Sequence, residues 1–137
     1  MSPFGQVLHD LRQRYGLRQT ELAERMGYEQ SYVSALELGV KGPPPEVFLR
    51  RLVAVLSLDE ETEETIFRAA DDSHRRFNIP VDSPSNVYKT CNELRRQLER
   101  LHPSQIDLIQ RILRLPQELS SRTNAEPPRI KRRTRLS

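Results

Sequence analysis

The segment from Arg18 to Gly39 constrains the fold more than any other part of the chain. Its first half predicts a short helix, because apolar residues recur three and four positions apart and so share one helical face. These residues are Leu22, Ala23 and Met26. Gly27 follows where a left-handed residue often ends a helix. A second helix is predicted from Gln30 to Leu38, so the segment indicates two short helices joined by a tight turn.

The outer face of the second predicted helix carries small and polar residues. They are Gln30, Ser31, Ser34 and Ala35, whereas Val33 and Leu36 point inward. Glutamine bonds adenine at two atoms, serine bonds several bases or a phosphate, and alanine contacts the thymine methyl group. We therefore predict that this face contacts DNA bases. The alternatives are a helical hairpin within an all-α core and a helix-turn-helix that binds protein.

The segment from Phe4 to about Leu56 resembles the lambda-repressor-like, or XRE, helix-turn-helix family. The residues that carry the resemblance are Leu11-Arg12, Gly16-Leu17, Gln19, Glu21-Leu22-Ala23, Gly27, Val33-Ser34, Leu36-Glu37 and Gly39. The resemblance implies a phosphate contact at Gln19, a base contact at Gln30, and an ion pair between Arg12 and Glu37. The full set of phosphate candidates is Arg18, Gln19, Tyr32 and Lys41. Two features depart from the family: Glu29 is a poor helix cap, and the loop residues Leu38 and Val40 are apolar.

Helical spacing extends over the rest of the first 72 residues, which we predict to form a five-helix DNA-binding domain. Ser2 and Pro3 are typical of a helix start. The fifth helix is predicted to begin with a capping box made by Ser57 and Glu60, and Asp59 is the alternative cap. Residues 73–84 predict an extended linker or a short edge strand. Arg75 and Arg76 in this linker either face DNA or are solvated.

Residues 85–115 predict a helical hairpin. Pro116 is predicted to end the ordered chain, and residues 116–137 are predicted to form a disordered basic tail. From Val87 to Leu101, apolar residues recur alternately four and three positions apart, and they form a seam like that of a coiled coil. The seam and the second helix supply the predicted dimerisation residues, which are Val87, Cys91, Leu94, Leu98, Leu101, Ile109 and Ile112. The hairpin either pairs with its copy or folds back on the fifth helix. The tail either adds phosphate contacts or is solvated without a role.

Composition excludes several classes of protein. Cys91 is the only cysteine, so no internal disulfide is possible. No stretch approaches the ~20 apolar residues of a membrane span, and no signal peptide is expected, which favours the cytoplasm. We predict no enzymatic activity, cofactor or metal. His9, His74 and His102 lie far apart in the sequence and are interpreted as structural or solvated.

Charge is unevenly distributed around a net value of +3. Residues 59–72 carry seven acidic side chains and one basic one, whereas residues 116–137 carry six basic and two acidic ones. The fold expected is all-α. The function expected is sequence-specific binding of double-stranded DNA by a homodimer on a palindromic operator, as a transcriptional regulator that represses. The alternative is an antitoxin whose C-terminal part binds a toxin.

Overall fold

The computed structural model of the chain describes residues 1–117 and 119. The chain divides after Asn78 into two compact units. The described residues contain helices and no strand, which confirms the predicted all-α fold. Residues 118 and 120–137, where most of the basic tail was predicted, lie outside the described part.

The first unit contains five α-helices. They are α1 (Pro3–Arg14), α2 (Gln19–Met26), α3 (Gln30–Leu38), α4 (Glu46–Leu56) and α5 (Glu60–Asp71). Ser2 caps α1, because its Oγ accepts a hydrogen bond from the backbone N of Gly5 at 3.0 Å. Gly27 and Gly39 end α2 and α3 in the left-handed conformation, with φ of 75° and 82°. The predicted bounds of α3 are therefore confirmed at both ends.

The predicted capping box at the start of α5 is wrong, and the alternative cap is the one observed. Ser57 is the C-cap of α4 and adopts a left-handed φ of 51°. Asp59 instead caps α5, and its carboxylate accepts a hydrogen bond from the backbone N of Thr62 at 2.8 Å. Ser57 cannot cap α5, because α4 continues to Leu56 and Ser57 forms part of the last turn of α4.

The core of the first unit is aliphatic with a small aromatic cluster. Nine side chains are almost completely buried: Phe4, Leu8, Leu22, Met26, Val33, Leu36, Phe48, Leu52 and Ile66. They come from all five helices, so burial of apolar surface holds α2 and α3 against α1, α4 and α5. A close-packed core of this kind fixes how α3 is presented.

Helices α1 and α3 approach each other closely at Gly5, whose role the sequence did not indicate. A Cβ atom at this position would lie 2.5 Å from the backbone O of Glu37 and 2.7 Å from that of Leu36. Both obstacles are backbone atoms, which cannot move aside without displacing a helix. Glycine at position 5 therefore allows the contact that brings Arg12 and Glu37 to the same side of the unit.

The predicted linker begins inside the packing of the first unit. Ser73 is buried, and its Oγ accepts a hydrogen bond from the backbone N of Phe4 at 2.9 Å while donating to the backbone O of Ala69 at 2.7 Å. The segment after α5 is thus tied to the start of α1. Residues 74–84 are described without a strand.

The second unit contains α6 (Ser85–Gln97) and α7 (Pro103–Leu113), with a 3-10 turn at Leu98–Arg100 between them. The α-helical register expected through Leu98 and Leu101 is not maintained, since α6 ends at Gln97 and Leu101 is extended. Proline at 103 disfavours helix in the residue before it. That residue, His102, caps α7 by accepting from the backbone N of Ser104.

Pro116, the predicted first residue of the tail, lies in a short helical segment. Residues 115–117 are helical, and the backbone N of Gln117 donates to the O of Arg114 at 3.1 Å. Proline is tolerated there because a first helical turn has no need of its N–H group. Across the described residues, the helices are too short or too polar to cross a membrane.

Candidate nucleic-acid interface

The four predicted base-contact residues occupy one side of α3. Gln30 and Ser31 are exposed, and Ser34 and Ala35 are half-buried. The opposite side of the helix is anchored, because Val33 and Leu36 are at most 1% exposed. The first turn of α3 is therefore presented to solvent from a rigid base, with its most accessible polar groups at Gln30 and Ser31.

Gln30 is held by a hydrogen bond to the first residue of α2. Its Nε2 donates to Oε1 of Gln19 at 2.8 Å, and Nε2 of Gln19 donates to Oε1 of Glu37 at 3.1 Å. Both bonds fix the amide orientation of Gln19, since its oxygen faces a donor and its nitrogen faces an acceptor. Gln19, predicted to contact a phosphate, thus also connects Gln30 to a buried carboxylate.

Glu37 is the centre of a polar network that joins α1, α2 and α3. Arg12 Nε donates to its Oε2 at 2.6 Å, and Arg12 Nη2 donates to its Oε1 at 3.1 Å, so the structure brings this predicted pair together in bidentate geometry. Arg12 Nη1 also donates to the backbone O of Leu17 at 2.9 Å. The side chains of Arg12 and Glu37 are only 14% and 5% exposed.

The network determines the charge state of Glu37. Burial raises the pKa of this carboxyl, but hydrogen bonds from Arg12 and Gln19 outweigh burial and lower the pKa below its ordinary value of 4.5. The same pairing raises the pKa of Arg12. Both groups therefore remain charged near neutral pH, and the ion pair stays intact.

His9 belongs to this network, although its sequence context gave no signal for it. Its Nδ1 lies 3.3 Å from Oε1 of Glu37 and 3.3 Å from Nη2 of Arg12. His9 precedes Arg12 by almost one turn of α1, so both side chains reach the same side of the helix. The prediction that His9 is structural or solvated fits this position.

Two of the other phosphate candidates, Arg18 and Lys41, are exposed at the surface. Tyr32, by contrast, is half-buried and stacks on Tyr28 with ring centroids 5.3 Å apart. Burial raises the pKa of its hydroxyl, and the charge interaction with Tyr28 adds to the effect. The ring of Tyr32 therefore packs against the core as well as lying on α3.

Arg51 fixes the turn between α2 and α3, a role that no sequence pattern indicated. Its Nη1 donates to the backbone O of Met26 at 2.9 Å, and its guanidinium lies 5.7 Å from the centroid of the Tyr28 ring. The carbonyl of Met26 is at the end of α2, where helical partners are lacking. Arg51 thereby supplies a hydrogen bond that stabilises the angle between the two helices.

Comparison with known proteins identifies the domain. Residues 3–65 match the family model described as a helix-turn-helix domain, a range that contains α1 to α4 and the first half of α5. Residues 3–65 are therefore identified as a helix-turn-helix domain. The match supports the resemblance drawn from the sequence, and it includes every residue of the polar network around Glu37.

A relative in Bacillus subtilis (strain 168) is an uncharacterized HTH-type transcriptional regulator, RghRB. It is 38% identical over 94 residues, which are 69% of this chain. The chain spans 65% of that relative's length. No solved structure matches. Within the described residues, no three or more His, Cys, Asp or Glu side chains are placed to hold a metal ion.

Proposed function

We propose that the chain is a DNA-binding transcriptional regulator of the cytoplasm that reads sequence with α3. The observation that carries this proposal is the exposed Gln30, which a hydrogen bond from its amide to Gln19 holds at the first position of α3. A preoriented amide loses less conformational entropy when it bonds a base than a free one does. The helix-turn-helix domain and the transcriptional regulator among its relatives support the same function.

The dimensions of α3 suit the major groove. An α-helix with its side chains is about 10–12 Å across, and the groove is about 12 Å wide and admits one α-helix. In this arrangement the first turn faces the base edges, with Gln30 on adenine and Ser31 and Ser34 on neighbouring positions. Ala35 lies one turn further along, in position for a thymine methyl group.

Phosphate contacts are proposed at the edges of this face. Gln19 begins α2, where backbone N–H groups and the helix dipole favour an anion. Arg18 and Lys41 are exposed cations on either side of the helix pair. Tyr32 contributes its hydroxyl while its ring remains packed on Tyr28. These groups position the domain, whereas the four α3 residues provide sequence information.

We further propose that the regulator is a homodimer that represses by occupying a palindromic operator. One short helix reads few bases, and a second copy multiplies the affinity. No residue of α6 or α7 is buried in the single chain. Leu98 and Ile112 are 58% and 64% exposed, and Val87 is 37% exposed. The half-buried residues of the same set are Cys91, Leu94, Leu101 and Ile109.

Selection of bound duplexes from random DNA tests the function. The full chain is expected to enrich one sequence, with two inverted half-sites whose centres are about 10 base pairs, or one helical turn, apart. Enrichment of a single half-site would still support base contact by α3, but it would contradict the proposed dimer. Failure to enrich any sequence, at a salt concentration where mixed-sequence DNA is bound, contradicts sequence-specific reading.

Leu94→Asp is expected to convert the dimer to a monomer. A carboxylate at the centre of the predicted seam loses its hydration when two copies associate, and burial of an unpaired charge is costly. Sedimentation velocity gives the mass, and affinity for the selected duplex is expected to fall with dimerisation. Asn92→Asp is the matched control, since it adds the same charge at an exposed position of α6. A native chain and a Leu94→Asp chain of equal mass would show that the seam does not dimerise.

The exposed apolar residues of α7 favour one alternative, an antitoxin that uses this surface to bind a toxin. Leu108 and Leu113 are 58% and 73% exposed in the single chain. A purified chain that remains monomeric and forms a complex of defined stoichiometry with the product of a neighbouring short gene would support this alternative. A homodimer that excludes such a product would argue against it.

A further inference from the structure

A basic cavity in the first unit borders the loop that follows α3. Its volume is about 360 Å³, and it is lined by Gly42 and Pro43 of that loop and by His74, Arg75 and Arg76, which follow α5. Two of the lining residues carry permanent positive charge, and none is a carboxylic acid. This volume leaves ample room for one phosphate group.

The arginines of the cavity are not used by the fold. Both are exposed, and neither forms an ion pair or a side-chain hydrogen bond with any residue in the described part of the chain. Other arginines of the unit differ in this respect. Arg50 pairs with Glu46 and Arg68 with Glu64 across one helical turn. Arg75 and Arg76 therefore present free guanidinium groups to an external anion.

The loop that forms the other wall is fixed relative to α3. The backbone N of Lys41, just before Gly42, donates to the backbone O of Ala35 in α3 at 3.2 Å. Pro44, two residues after Gly42, is buried. The segment carrying the arginines is also anchored, because Ser73 immediately before it bonds the backbone of Phe4. The cavity is thus held rigidly near the C-terminal end of α3, with exposed Lys41 beside it in sequence.

We propose that this cavity binds a backbone phosphate of DNA beyond the bases that α3 reads, through Arg75 and Arg76. The proposal rests on the proposed function, because it assumes that α3 lies in the major groove. Gln30 and the cavity then flank opposite ends of a helix about 13 Å long. Guanidinium groups bind phosphate oxygens in bidentate geometry, and an array of phosphates is the anion nearest to a helix in the groove. Arg75 and Arg76 thereby belong to the DNA-binding surface rather than to a solvated linker.

The salt dependence of binding tests this proposal in the full chain. Arg75→Gln combined with Arg76→Gln is compared with the native chain on the selected duplex and on a mixed-sequence duplex of equal length. Each lost phosphate contact reduces the slope of log K against log salt by about 0.9, so loss of the single phosphate bound by both arginines is expected to lower the slope by about 0.9. At about 0.1 M salt this corresponds to roughly eightfold weaker binding of both duplexes. Arg50→Gln with Arg68→Gln removes the same charge at paired sites, and it is expected to leave the slope within about 0.3 of the native value.

A second variant separates the effect of positive charge from that of bidentate hydrogen bonding. Arg75→Lys with Arg76→Lys keeps both charges and is expected to retain most of the slope while losing bidentate geometry. An unchanged slope in the glutamine pair, or an equal fall in the Arg50 and Arg68 control, would overturn the proposal. Failure of the proposed function looks different: the native chain then enriches no sequence, whereas the slope on mixed-sequence DNA still reports on the cavity. Absence of binding to either duplex would overturn both.

Discussion

Arg12→Ala is expected to destabilise the first unit by about 3–5 kcal/mol, because it leaves the buried carboxylate of Glu37 without its cationic partner. For a domain of this size, such a loss lowers the melting temperature by about 12 °C or more. Loss of the hydrogen bond to the backbone O of Leu17 adds to the effect. Thermal unfolding of the full chain, followed by far-ultraviolet circular dichroism, measures the change. Arg14→Ala, at an exposed position of the same helix, is expected to change stability by less than about 0.5 kcal/mol.

Acid titration of the same variants distinguishes a stranded charge from lost packing. In the native chain, the pKa of Glu37 lies below its ordinary value of 4.5, so the ion pair stabilises the fold above that pH and its contribution is lost as pH falls through the folded-state pKa. In Arg12→Ala, burial without the guanidinium is expected to raise the pKa of Glu37. The gap in unfolding free energy between the two proteins should therefore narrow as pH falls below about 5. A gap that stays constant down to pH 3 would assign the loss to packing.

Removal of both charges provides the complementary control. Arg12→Met combined with Glu37→Leu replaces the pair with apolar side chains, and such replacements are often neutral or stabilising. The double variant is expected to be more stable than Arg12→Ala alone. Equal losses in the two proteins would indicate that the network contributes through its geometry, because Gln19 and His9 also bond Glu37.

The parts of the fold that sequence predicted correctly are those with local signals. Glycine at 27 and 39 and the apolar spacing before each of them define α2 and α3, because helix ends depend on the conformation of single residues. The cap of α5 was ambiguous for the same reason, since Ser57 and Asp59 both satisfy a capping pattern. Only the length of α4 decides between them, and length depends on packing against the rest of the unit.

The contacts that sequence did not predict join residues far apart in the chain. Gln19 bonds Glu37 and Gln30, and Arg51 bonds the carbonyl of Met26, because the helices cross at one particular angle. Periodicity gives the face of each helix but not its crossing geometry. Gly5 illustrates the limit, because its importance follows from carbonyl groups more than 30 residues away. The free arginines at 75 and 76 likewise gain meaning only from the loop opposite them.

Gln30→Ala combined with Ser34→Ala is expected to weaken the sequence preference strongly while leaving the fold intact. A bidentate contact to one base contributes about 1–3 kcal/mol of discrimination, so affinity for the selected duplex should fall by about 10- to 100-fold or more. Affinity for a mixed-sequence duplex should stay within about twofold, since phosphate contacts carry nonspecific binding. Competition binding with the two duplexes measures both quantities.

A loss of binding in that variant reports on base contact only if the buried side of α3 keeps the helix packed. Gln30 is exposed and Ser34 is half-buried, while Val33 and Leu36 retain the packing, so the melting temperature of the double variant should match that of the native chain. Gln13→Ala with Thr65→Ala removes comparable exposed polar groups from α1 and α5, and it is expected to change neither affinity nor preference. A double variant of Gln30 and Ser34 that still selects the native DNA sequence would mean that base reading resides elsewhere. The polar network from Arg12 through Glu37 and Gln19 to Gln30 would then serve stability alone.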